Sequence, residues 1–418
     1  MTRIKSETEE VVKQKFAEYY HEHSHEIQPP TVLERREFGF LLFKEKMMIR
    51  HKGFSRIEDL RRFLEITVPS DVYYSAARYE RPEESMEAKG WLGADLIFDV
   101  DADHIETPCK NEHDRWICLN CGAKGNGLVP ESCPSCSLQK FDEKTWLCES
   151  CLEAAKVETL KLIDMLISDF GFSSDELVIC FSGHRGYHVH IEKEGVLHLD
   201  QLARKEIVDY VRGTGLDAKY HGLYERIIGI HQRSGVVVGP ALDDPGWRGR
   251  LAKGMYDFLT QVTPEQVERI GLKKRRTAVI LEHKDAFLKA LQTQAPWDVA
   301  RGLGIDAWEK IMAHVIKSQA ASIDTVVTTD LHRLIRLPAT IHGKTGLKVV
   351  TVPVGKLEAF DPLQEAIAFT EGTLTVCVTE ARAFRLGNQI YGPYRDKKVE
   401  LPMAAAMSLL CKKTASPC

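Results

Sequence analysis

Asp99 and Asp101 close the apolar run Leu96-Ile97-Phe98 in the segment Asp95-Leu96-Ile97-Phe98-Asp99-Val100-Asp101-Ala102-Asp103. Residues two apart on a strand share a face, so the two carboxylates point the same way while Val100 points into the core. Paired carboxylates at a strand end suit Mg²⁺ or Mn²⁺, hard cations that take oxygen ligands and leave coordination positions for water and phosphate. A solvated or capping cluster produces the same pattern, so the pair needs support from elsewhere. An EF-hand is excluded: with Asp99 at its first position, the sixth must be Gly and is His104, and the twelfth must be Glu and is Lys110.

Two further segments supply that support. Ser182-Gly183-His184-Arg185-Gly186-Tyr187-His188-Val189-His190 follows the apolar run Leu177-Val178-Ile179-Cys180-Phe181, which reads as strand, glycine-bearing turn and strand. The turn gathers a hydroxyl, backbone amides, a guanidinium and an imidazole, groups that match the oxygens of a triphosphate. His188 and His190 share one face of the second strand, and His190 reads as a core or supporting histidine. Farther on, Ser322 to Thr328 reads as a strand containing Asp324, and Asp330 to Leu337 as a short helix stopped by Pro338. The loop His342-Gly343-Lys344-Thr345-Gly346 imitates the end of a P-loop, but the earlier Gly of that motif is Pro338, so a Walker A site is rejected.

In this order the three segments resemble the catalytic small subunit of the archaeal and eukaryotic DNA primases. In that family an Asp-x-Asp, a Ser-Gly-x-Arg-Gly-x-His and a later Asp followed by a basic residue and a His succeed one another. Arg36-Glu37-Phe38-Gly39-Phe40 and Ile49-Arg50 look like the family's N-terminal strand pair, and His184 stands where eukaryotic members usually carry a second Arg, as suits an archaeal version. The resemblance implies the primase "prim" fold, an α/β (α+β) platform, and template-directed primer synthesis by a two-metal mechanism. It implies catalytic roles for Asp99, Asp101 and Asp324 as ligands of Mg²⁺ or Mn²⁺. It implies nucleotide contacts from Ser182, His184, Arg185, His188, Arg336 and His342, and from Arg50. The partners implied are a large regulatory primase subunit, a single-stranded DNA template, nucleoside triphosphates and the replication machinery. Two other readings stay open: a repair-type primase-polymerase of the same superfamily, and a non-enzymatic zinc-ribbon subunit that binds nucleic acid.

Seven of the 11 cysteines lie between Cys109 and Cys151. Cys118-x-x-Cys121 and Cys133-x-x-Cys136 are two knuckles that together supply a closed, tetrahedral site for structural zinc. Around them lie Cys109, His113, Cys148 and Cys151, and the family resemblance implies a Cys/His zinc site in this place. Nesting pairs the outer four on one ion and the inner four on another. The sequential alternative pairs Cys109, His113, Cys118 and Cys121, then Cys133, Cys136, Cys148 and Cys151, and spacing does not exclude it.

The chain has 418 residues, 44% hydrophobic and 28% charged, the balance of a folded protein of more than one substructure. The formal net charge of −4 argues against coating nucleic acid through bulk charge, so template contact must be local. The basic run Lys273 to Arg276 reads as a solvated helix end. The first residues lack the apolar core of a signal peptide and no stretch is long and apolar enough for a membrane span, so the expected location is cytoplasmic, away from membranes. The pattern predicts a helix over 8–20, strands over 38–43 and 47–51, and a helix over 57–66 opened by a capping box of Ser55 and Glu58. Five stretches are expected: platform (1–108), zinc region with its ribbon (109–151), platform (152–199), a mainly helical insertion (200–315), then platform and tail (316–418). Cys411 and Cys418 fall in that tail.

Overall fold

A computed structural model describes residues 2–43, 47–228, 234–294, 296–300 and 302–418. The chain forms two compact units, one of residues 1–160, 173–205 and 322–418, the other of residues 161–172 and 206–321. Helix and strand are mixed throughout, and among the described residues every strand pairing is antiparallel.

Two four-stranded sheets organise the first unit. One runs Leu334–Arg336, Asp71–Ser75, Phe38–Leu41, Met48–Lys52, and the other runs Val350–Val352, Leu177–Phe181, Gly186–Ile191, Leu96–Asp101. In the second sheet Asp99 lies directly opposite His188, Asp101 opposite Gly186, and His188 opposite Cys180. Because side chains alternate, one face collects Asp99, Asp101, His188, His190 and Cys180, while Phe98, Val100, Tyr187, Val189 and Phe181 form the buried apolar face. The Tyr74 hydroxyl and His190 Nδ1 meet at 3.3 Å, so the polar face looks toward the first sheet.

Gly186 is required by this register. A Cβ there would stand 2.4 Å from the carbonyl oxygen of Val100 and 2.9 Å from the Cα of Asp101, so only glycine lets the two strands close at the carboxylate end.

Several local expectations change. Thr325–Thr329 is a short helix rather than a strand, although Thr and Val favour strands, because the Asp324 side chain accepts from the Val326 amide at 2.9 Å and caps it. Leu334–Arg336 is an edge strand rather than a helix, held by pairing with Tyr73 to Ser75. The helix Ile57–Thr67 starts after Arg56 with no side-chain cap, so the Ser55 capping box does not form. The segment read as a tail is structured: Met403–Cys411 is a buried helix, and Ala415–Pro417 pairs with Val376 to Val378. Cys377 is joined to Cys418 by a disulfide.

The second unit is mainly helical. Gly246–Gln261 and Ile305–Gln319 are its longest helices, Tyr224–Ile228 and Ser234–Val238 make a hairpin, and Trp308 is buried between Phe287 and Trp297. The basic run opens the helix Lys274–Glu282, with Arg276 paired to Asp306 at 2.6 Å. Among the described residues no helix is long and apolar enough to cross a membrane.

Candidate active site

The acidic end of the Leu96–Asp101 strand is closed by its neighbours. The Asp324 amide donates to the Asp99 carbonyl at 2.8 Å, which seats the cap of the short helix beside the metal-candidate strand. Burial first, then Asp101 and Asp324, pushes the Asp99 carboxyl up to about 8, and Asp101 is raised by burial and by Asp103. A group of acids that cannot all ionise together is short of positive charge. The oxygens of Asp101 and Asp103 lie within 4.8 Å of each other and of a His184 nitrogen. Asp99, Asp101 and Asp324 do not draw together to that distance, but the fold places all three at one strand end.

Opposite the acids stands the turn Ser182–Gly186. Gly183 has φ +77° and approaches the other wall so closely that a Cβ would lie 2.8 Å from the Cβ of His342. The loop His342–Gly346 is latched onto the turn by Thr345 Oγ1, which donates to the Gly183 carbonyl at 2.5 Å. The rings of His184 and His342 consequently stack, 5.0 Å between centroids and 6° from parallel. The Lys344 amide donates to His342 Nδ1 at 3.1 Å, which leaves the proton of the neutral ring on Nε2 as a donor. Burial, then Arg336, His184, Lys344 and Lys412, holds His342 well below the usual histidine range. Burial, then Lys412, Arg185, Lys344 and Arg336, does the same to His184.

His188 Nε2 lies 3.4 Å from Asp99 Oδ1, and its buried Nδ1 has no hydrogen-bond partner among the described residues. Ser182 is buried, its Oγ accepting from the His184 amide at 3.4 Å. Arg336 is anchored by Asp71 and lies over the Tyr73 ring, 4.9 Å to its centroid, and Asp71 also accepts from the Gly343 amide at 3.2 Å. A single carboxylate, 265 residues from Arg336 in sequence, thus fixes both the arginine and the histidine loop.

Two of the expected arginines are held by carboxylates. Arg185 is 1% exposed, and its guanidinium is clamped by Asp103 and by Asp114, with Asp114 Oδ2 at 2.8 Å. Its guanidinium thus ties the turn to the framework beside the Asp101, Asp103 and His184 group. Arg50 sits on the edge strand of the first sheet, where Glu37 holds it at 3.0 Å and also takes Lys89 at 2.5 Å.

The cysteines separate into the outer and inner fours. Cys109, His113, Cys148 and Cys151 bring their ligand atoms within 4.8 Å of one another, as do Cys118, Cys121, Cys133 and Cys136. His113 Nε2 is 3.1 Å from Cys148 Sγ, while its Nδ1 lies 2.7 Å from Asp114 Oδ1, the usual orientation of a metal-binding imidazole by a carboxylate. The strands Arg115–Cys118, Lys124–Asn126 and Phe141–Lys144 form a stem, with Arg115 opposite Lys144 toward the outer four and Cys118 opposite Phe141 toward the inner four. Three thiols and an imidazole converging in the outer group, and four thiols in the inner, fit zinc.

Sequence reasoning gives no role to Asp71, Lys89 or Asp114. Each is a lone charged residue whose partner lies far away in the chain, so no local pattern marks it. Asp114 alone carried a signal, as the residue after a candidate ligand.

An acidic strand end facing imidazoles and cations is an arrangement suited to divalent metal and phosphate oxygens. The family model described as DNA primase small subunit matches residues 138–353. The DNA primase small subunit PriS of Methanothrix thermoacetophila is 32% identical, covering 98% of each chain. That of Cenarchaeum symbiosum is 33% identical over 97% of this chain and 98% of its own, and that of Natronomonas pharaonis 33% over 87% and 86%. The chain belongs to the DNA primase small subunit family.

Proposed function

We propose that the Asp99 strand and the histidine cradle facing it form the nucleotidyl-transfer centre of this primase subunit, a DNA-directed enzyme that synthesises primers. The observation that carries this reading is the register: Asp99 lies opposite His188 at one end of a sheet, where the stacked pair His184 and His342 closes over the same end. In this reading Asp99, Asp101 and Asp324 hold Mg²⁺ or Mn²⁺, which the raised Asp99 and Asp101 carboxyls favour. When bound, a metal pair activates the attacking 3′-hydroxyl and stabilises the leaving pyrophosphate.

The chain's own groups do the rest. The Nε2–H of His342, the unpartnered Nδ1 of His188, the Ser182 hydroxyl and the Arg336 guanidinium orient the triphosphate oxygens along the strand end. His184 supports His342 by stacking. Arg185 is a positioning residue that ties the turn to Asp103 and Asp114, and Arg50 approaches the nucleotide only by leaving Glu37. The outer and inner donor groups hold two structural zinc ions. The single-stranded template, a large regulatory subunit and the replication machinery are the partners, in the cytoplasm. Nothing in the geometry favours the repair-type or the non-enzymatic reading.

The test is primer synthesis on single-stranded DNA with nucleoside triphosphates, alongside binding of nucleotide alone. Asp101→Asn should abolish synthesis with nucleotide binding little changed in metal-free buffer, and His342→Ala should weaken binding about ten-fold or more, the loss expected for one hydrogen bond to a charged group. Near-normal synthesis by Asp101→Asn would overturn the assignment.

A further inference from the structure

Two sulfurs stand apart from the others. Seven of the cysteines belong to the two metal groups, and burial pushes the remaining free thiols, Cys180 and Cys411, up to about 12, where they do not react as thiolates. The last two, Cys377 and Cys418, form the disulfide, with Cys377 half-buried and Cys418 exposed. It lies at the edge of a three-stranded sheet whose strands run Tyr394–Pro402, Thr373–Ala381 and Ala415–Pro417 in that order. The pairing of the edge strand is short. Pro417, Ser416 and Ala415 lie opposite Val376, Cys377 and Val378, and the Thr379 amide and hydroxyl both donate to the Thr414 carbonyl, at 2.9 and 2.8 Å.

A tight connection leads from this edge to the loop that carries His342. The buried helix Met403–Cys411 turns into the strand through Lys412, Lys413 and Thr414, and Lys413 takes φ +59°, the left-handed conformation that closes a helix. A Cβ on Gly346 would lie 3.6 Å from Cys411 Sγ and 3.7 Å from Met407 Cβ, so the last turns of the helix pack on the loop His342–Gly346. Release of the strand frees Lys413 from its left-handed conformation, and the helical turn loosened in this way is the one that touches the loop.

We infer that Cys377 and Cys418 form a redox clasp, opened by a dithiol and closed again by a disulfide oxidant, whose state sets how firmly the helix Met403–Cys411 backs the loop His342–Gly346. Cys418 Sγ is the sulfur that a donor reaches from solvent. The donor thiolate joins it in a mixed disulfide while Cys377 leaves as a thiolate and takes up a proton. The donor's second thiol then displaces Cys418, so that two electrons and two protons pass to the protein and the donor ends as a disulfide. Exposed disulfides are the labile, regulatory kind in a compartment that keeps thiols reduced, the location proposed above. Closed, the clasp ties residues 41 apart in sequence and lowers the entropy of the opened chain. The effect on the loop follows from this packing alone, whereas an effect on the reaction rests on the reading of His342 given above.

The intact protein is compared as purified without reductant, after treatment with tris(2-carboxyethyl)phosphine, and as Cys377→Ser and Cys418→Ser, with zinc content checked in each. Alkylation read by mass spectrometry, thermal scans, amide hydrogen exchange and triphosphate binding are the measurements. Before reduction neither cysteine should alkylate. After it both should, with Tm lower by roughly 5 °C or more, and exchange should quicken about ten-fold at 376–379, 414–418 and 342–346 while staying unchanged across 186–191. Both variants should behave as the reduced parent and not respond to the phosphine. Free thiols at both positions in protein prepared without reductant, or faster exchange at 414–418 with 342–346 unchanged, overturns the inference. If the loop loosens on reduction and triphosphate affinity does not fall, the clasp stands and the reading of the cradle fails.

Discussion

Replacing Asp99 by Asn should disable the enzyme and stabilise the protein, and the gain should depend on pH in a set direction. The folded Asp99 carboxyl titrates near 8 against an ordinary 3.8. A group whose value is raised on folding favours the folded state fully at low pH and loses that contribution as pH climbs through the folded value. At about 1.4 kcal/mol for each pH unit between the two values, ionised Asp99 costs up to about 5 to 6 kcal/mol at pH 8. Asn has the same shape and stays beside His188, but burying its amide costs about 1 to 3 kcal/mol. A net gain of about 3 kcal/mol remains at pH 8, whereas at pH 4, where the carboxyl is protonated, the amide cost leaves the variant about 1 to 2 kcal/mol less stable than the parent. For a unit of this size the gain at pH 8 is a rise in Tm of roughly 5 °C or more. The assay is a thermal scan from pH 4 to 8 in buffer free of Mg²⁺ and Mn²⁺ but without chelator, which would also strip zinc from the cysteines. A variant no more stable than the parent at pH 8, or a gap that does not widen with pH, would refute the account of Asp99 as an acid held against its own charge.

Other outcomes follow from the same geometry. Metal binding at the acids should release protons at pH 6 to 7 and progressively fewer as pH rises through about 8, because Asp99 must ionise to take the ion; calorimetry in two buffers of different ionisation enthalpy measures this, and uptake of protons contradicts it. Arg185→Met leaves Asp103 and Asp114 without their buried partner and should destabilise the first unit by about 3 to 5 kcal/mol; an unchanged Tm would show that the clamp is not structural. Cys133→Ser should lower the zinc content by one equivalent and disorder only the stem tip, with the metal at Cys109, His113, Cys148 and Cys151 retained; loss of both equivalents counts against the separation of the two groups.

The parts of this site that could be read from sequence are those with a period. Asp99 and Asp101 on one strand, His188 and His190 on another, and the paired cysteines all repeat at intervals that strand geometry or metal coordination imposes. Asp324 falls beside Asp99, but its element differs from expectation, since the propensity of Thr325-Val326-Val327-Thr328 points to a strand and the cap that decides otherwise is a single hydrogen bond. Leu334–Arg336 failed for the opposite reason, because pairing with Tyr73 to Ser75 overrides its helical spacing. Arg185 carried the right residue type in the right motif, but where its guanidinium turns depends on Asp114, 71 residues away. The helix before Lys412 looked like a tail because its partner, the loop at Gly346, can be recognised only once the fold is closed.

The outer group of Cys109, His113, Cys148 and Cys151 also determines what the protein tolerates between its members. Because those four already bring residues 113 and 148 together, and Arg115 pairs with Lys144 just beyond them, the loop-closure entropy of the stem falls on the outer group and not on whatever lies at the tip. Residues 118–136 therefore occupy a socket. Shortening that segment to a plain turn, or exchanging it for another small domain whose ends lie a strand spacing apart, should leave the sheet carrying Asp99 undisturbed. It is the natural place to graft a fluorescent reporter or an affinity module onto this enzyme without touching the sheet that carries Asp99 and His188.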